Sequence, residues 1–133
     1  MKKLTRNAVL MTMVLVMSLT FIQCKDAAVN KFIDLQVEAE NKKCPVDMGG
    51  GLIMEKCESI GDKTIKYTFT VPDAIAPHLK LDDPEAKSDG IRALKAMKEF
   101  KQIKELEVSY SYAYYDTKKN LLGEMKITPE DYK

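Results

Sequence analysis

Few side chains in this sequence are equipped for catalysis. The single histidine, His78, lies in PDAIAPHLKLDDPEAKSDG (residues 72–90), a connection holding three prolines. One histidine in such a connection makes a poor general base, and a surface loop residue accounts for it. Ser109 and Ser111 sit in an alternating run without the G-x-S-x-G turn that exposes a nucleophile. Gly49, Gly50 and Gly51 lack the lysine and following helix of a phosphate cradle. Asp82, Asp83, Glu85 and Asp89 do not have EF-hand spacing, and acids at a helix start account for them. There is no Cys-x-x-Cys, and His78 is remote from every cysteine. The expectation is no catalytic residue, no metal and no cofactor.

Residues suited to binding are easier to find. Tyr110, Tyr112 and Tyr114 recur every second position, so on a strand they line one face, with Tyr67 and Phe69 beside them. Such a stripe is either core or the wall of a ligand or peptide groove. Tyr115 points the other way, where an exposed aromatic can anchor an interface. Arg92, Lys95, Lys98, Lys101 and Lys104 make a polar helix face, broken by Glu99 and Glu105. It is either simply solvated or suited to lie near an anionic lipid surface. An edge strand could accept a partner's strand, but the sequence leaves open which edge is free.

These side chains must be positioned by a short series of elements. AVNKFIDLQVEAENKK (28–43) fits both a helical face and an alternating strand; its Glu, Gln, Ala and Lys content favours a helix that Pro45 ends. LIMEKCES and DKTIKYTFTV read as strands around a Gly61-Asp62 turn, the second with Ile65, Tyr67, Phe69 and Val71 on one side. IRALKAMKEFKQIKEL (91–106) reads as a helix with Ile91, Leu94, Met97, Phe100 and Ile103 inward. Its N-cap is Asp89, or Asp83-Pro84 if the helix begins earlier. ELEVSYSYAYYD and LLGEMKIT form a second hairpin across DTKKN. The predicted fold is α+β, helix–hairpin–helix–hairpin, with two helices packed on a four-stranded antiparallel sheet.

The first residues carry a different message. Lys2, Lys3 and Arg6 precede AVLMTMVLVMSLTFI (8–22), which holds no charge. Fifteen helical residues span about 22 Å, short of a hydrocarbon core of about 30 Å, as in an export signal. Cleavage after Ala27 or Ala28 would leave a charged residue at −3. Cys24, directly after the apolar run and before Lys25-Asp26, resembles the processing site of bacterial lipoproteins, in a relaxed form with Gln23 before it. The resemblance covers residues 1 to about 26. It implies a signal peptide at 1–23, diacylglycerol and palmitate on Cys24, and a tether at 24–28 before a single domain at 29–133. The alternatives are an uncleaved anchor helix and a plain secreted chain.

If Cys24 carries lipid, Cys44 and Cys57 remain as an even pair in an oxidising compartment. Gly49–Gly51 between them would let the chain reverse as a bridge requires. The alternative is two buried thiols acting as small hydrophobes. The leader also distorts the charge. It holds three of the 21 basic side chains, so the rest carries 18 against 20 acidic, a net of −2. That balance gives no electrostatic footprint for nucleic acid.

KKCPVD, IKYTFTV and SYAYYDTKKNLLGEMKITPEDY are also similar in layout to small exported bacterial proteins, a likeness that brings no activity with it. The sequence therefore predicts a non-enzymatic envelope lipoprotein, membrane-held at an outer-membrane face, that binds a protein or peptide partner. A carrier of a lipid or small apolar ligand is the second reading, and an envelope hydrolase the last.

Overall fold

A computed structural model of the protein describes residues 26–133. The leader and Cys24 lie outside the described residues. Helix α1 occupies residues 26–41, then come β1 (Val46–Asp47), β2 (Ile53–Ser59) and β3 (Thr64–Thr70). A 3₁₀ turn at Ala76–His78 precedes α2 (Pro84–Lys95) and α3 (Phe100–Leu106). The chain ends with β4 (Ser109–Tyr115), β5 (Leu121–Ile127) and α4 (Pro129–Tyr132).

The fold is α+β, but the sheet corrects the expectation of four antiparallel strands. It has five, in the order β1-β2-β3-β4-β5, and β3 runs parallel to β4. Both expected hairpins form, β2 with β3 and β4 with β5, each antiparallel. They are joined by a crossover through α2 and α3. Parallel neighbours need a long connection of this kind, because it must carry the chain back to the end where the first strand began.

Among the described residues the two expected helices become four, and the break between α2 and α3 has a cause in the sequence. Ile91, Leu94, Met97, Phe100, Ile103 and Leu106 recur every third residue. An α-helix turns 3.6 residues per revolution, so such a stripe drifts about 60° at each step. The chain stays against the core by interrupting the helix at residues 96–99, where Ala96, Met97 and Phe100 donate to carbonyls three residues back. Asp83, not Asp89, caps α2, accepting from the Glu85 N–H at 3.0 Å with Pro84 in the first turn. Glu107 ends α3 in the left-handed region at φ 57°.

Gly49, Gly50 and Gly51 form the turn between β1 and β2, with φ of 113°, 64° and 87°. Three consecutive positive values explain why only glycine stands there. The core lies between one sheet face and the helices. Val29 and Ile33 from α1 meet Ile65, Leu94, Ile103, Val108, Tyr110 and Ile127, each at most 3% exposed. Tyr132 of α4 is buried as well and donates to the carbonyls of Val108 at 2.7 Å and Ile103 at 3.3 Å. It thereby fastens the C-terminus over the α3–β4 junction.

Candidate functional site

The expected tyrosine stripe exists and belongs mainly to the core. The parallel register sets Ile65 beside Tyr110, Tyr67 beside Tyr112 and Phe69 beside Tyr114. Five rings stack as a ladder, Tyr110–Tyr67–Tyr112–Phe69–Tyr114, with centroids 5.1–6.4 Å apart. Tyr110 is 1% exposed, and its hydroxyl donates to the Gln36 side chain of α1 at 3.1 Å. Tyr112 and Tyr114 are half-buried at the margin. Burial pushes the Tyr112 phenol up to about 12 and raises Tyr67, Tyr110 and Tyr114 as well. These phenols therefore stay neutral and act as packing groups with polar tips.

Tyr115 stands apart on the opposite face, as its parity requires. It borders an open cavity of about 540 Å³ with Lys66, Thr68, Thr70, Asp116 and Lys119. Ser111 and Ala113, though on that face, are fully buried. They form a small-residue column flanked by Lys66 and Thr68 on β3 and by Glu124 and Lys126 on β5. Ser111 donates a hydrogen bond to the Glu124 carboxylate. No histidine joins this pair; His78 is exposed in the 3₁₀ turn.

Cys44 and Cys57 are both free thiols, so the expected bridge is not formed. The thiol of Cys44 donates to the Glu40 carbonyl at 3.2 Å. Cys57 is 1% exposed, and burial pushes its thiol up to about 12. The tie between α1 and β2 is made instead by Asn41, whose amide donates to the Cys57 carbonyl at 2.7 Å while its oxygen accepts from the Cys57 N–H at 2.8 Å. One asparagine thus satisfies both main-chain groups of a buried strand residue.

The acids named in the sequence do not converge. Asp83 caps α2, Asp89 pairs with Arg92 at 3.0 Å, and Asp82 and Glu85 are exposed. Among the described residues, no group of three or more His, Cys, Asp or Glu side chains could hold a metal ion. Lys95, Lys98, Lys101 and Lys104 are exposed along α2 and α3, as expected of the polar face.

Sequence reasoning overlooked the space beside β5. The connection leading into α2 lays Leu81 against Gly123, where an added Cβ would stand 2.6 Å from Leu81 Cδ1. Two open cavities, of about 440 and 540 Å³, flank this contact and share Leu81, Asp82 and Asp83. The available signal was Gly123 itself, since a glycine inside a strand pattern often marks a close approach.

A family model described as a domain of unknown function, DUF8479, matches residues 28–123. The chain belongs to this family. The DUF8479 match runs from α1 into β5, across the aromatic ladder and the Asn41 tie. No curated protein matches the chain by sequence. In structure it is similar to a Pseudomonas aeruginosa protein, PA3611, assigned as secreted, with TM-score 0.71 and 10% identity over 82% of this chain and 96% of that one. It is also similar to AspS, the type II secretion system pilotin of Vibrio cholerae (TM-score 0.63, 15% identity, 83% and 97% covered). A third similar structure is EpsS, the type 2 secretion system pilotin of Vibrio vulnificus (TM-score 0.66, 11% identity, 82% and 96% covered). At these identities the DUF8479 chain shares a fold with all three.

Proposed function

We propose that this chain is a non-enzymatic envelope lipoprotein that binds a protein partner, in the way of a secretion-system pilotin. The observation that carries the reading is the shared fold over at least 82% of this chain with the two pilotins. Cys24 would supply the anchor, holding α1, which begins at residue 26, and the sheet just outside the lipid. The filled core supports a partner-binder over the carrier. Val29, Ile65, Ile103, Tyr110 and Ile127 occupy the space between helices and sheet that an apolar ligand would need. The scattered carboxylates and lone exposed His78 weigh against the hydrolase.

Photocrosslinking in native envelopes tests this, with full-length protein expressed beside a Cys24→Ala variant. The proposal expects the native chain in the membrane fraction, acyl-labelled, giving one discrete crosslinked protein. The variant should be unlabelled and released. A soluble native chain, or one that copurifies with a small apolar molecule and crosslinks to no protein, would overturn it.

A further inference from the structure

We propose that the outer edge of β5 is a strand-accepting site for an extended segment of the partner, carrying an apolar side chain and a carboxylate. This rests on the partner-binding reading above and adds the surface and the chemistry.

The sheet has two edges. One is β1, only two residues long, while β5 presents seven, Leu121–Ile127. Strand β5 pairs with β4 on one side, and among the described residues no backbone bond joins it to anything on the other. Such a row of unpaired N–H and C=O groups is a template for another strand. The strand contains no proline, and its charged residues are Glu124 and Lys126.

The edge also has a wall. The two cavities beside β5, separated by the Leu81–Gly123 contact, make an interrupted trough between the strand and residues 76–87. Thr117 of the β4–β5 turn donates to Asp73 at 2.8 Å, tying the connection to the sheet near one end. At the other, Lys87 of α2 pairs with Asp131 of α4 at 3.1 Å. A trough pinned at both ends is preformed, which reduces the ordering a ligand must supply.

Its lining indicates the occupant. Ala76, Leu79, Leu81 and Leu122 supply the apolar part of one end, beside Lys80, Asp82 and Asp83, and Leu121 and Leu122 are 55% and 39% exposed. Of the charges along the trough, Asp83 is committed to its cap, Lys87 to Asp131 and Glu124 to Ser111. Lys80, Lys126 and the exposed Asp82 are left, a balance of one positive charge. A segment in antiparallel pairing would set its apolar residue near Leu122 and its carboxylate opposite Lys126.

The test uses an acetylated heptapeptide of alternating Val and Thr, with Glu at its second position and Leu at its sixth. Amide hydrogen exchange of the full-length protein should show new protection confined to residues 121–127. N-methylation of alternate peptide amides should abolish it. Lys126→Glu should weaken binding about threefold, the scale of one exposed ion pair, and a peptide with Lys for Glu should restore it. Protection on other elements, equal binding of the N-methylated peptide, or pairing of β5 with a second copy that excludes the peptide would overturn the proposal. A discrete partner crosslink in envelopes combined with an inert β5 edge would reject this surface alone and leave the partner-binding reading standing.

Discussion

Single side chains, rather than a covalent bridge, fasten the elements to one another. Asn41 is the first example. Its removal would leave the N–H and carbonyl of buried Cys57 unpaired, so Asn41→Ala should lower stability by about 1–3 kcal/mol in urea denaturation. The loss should be the same with and without reductant, because both thiols are free. Asp131 is the second. It accepts from the Thr128 N–H at 2.8 Å and pairs with Lys87, and the Thr128 backbone bond holds its carboxyl below the usual carboxylate range. Its contribution is therefore present above about pH 4, the unfolded carboxylate value, and lost as pH falls through the lower folded value. Asp131→Asn should destabilise at pH 7, with the gap from the native chain closing in strong acid during thermal unfolding. Neither fastening was legible beforehand. The sequence shows an asparagine near a helix end, but not the strand that ends up within its reach.

At the scale of elements, the strands and both hairpins were readable, and the way the hairpins join was not. Period-two alternation placed Tyr67, Phe69, Tyr110, Tyr112 and Tyr114 on one sheet face, where they form the ladder. The same parity separated Tyr115 from them. Alternation has no direction, however, so it was silent on whether β3 and β4 run parallel. The three-residue spacing from Ile91 to Leu106 was visible, and its mismatch with 3.6 residues per turn explains the break into α2 and α3. Short β1 and α4 gave too few residues for any period to register. The ladder has a pH signature. Burial raises these phenols, so they favour the folded state fully below about pH 10 and progressively less as pH rises toward 12. Tyrosinate absorbance of the buried rings should therefore grow together with loss of far-UV circular dichroism. In the β1–β2 turn, Gly51→Ala forces a side chain onto φ 87° beside Pro72, and should cost roughly 1–2 kcal/mol by the same denaturation assay.

For the whole molecule, buried side chains fill the layer between sheet and helices, and among the described residues the seven-residue β5 edge has no backbone partner on its outer side. The sequence pointed to binding rather than catalysis through the lack of any activated nucleophile or base. It could not identify the β5 edge, because that trough is assembled by Leu81 and Gly123, which are 42 positions apart and meet only after the crossover. The most direct test is native mass spectrometry of the protein extracted from envelope membranes in mild detergent. The account predicts a chain beginning at an acylated Cys24 and held in a complex with a second, different polypeptide. An unprocessed chain beginning at Met1, or a lone chain carrying a small apolar ligand, would contradict it.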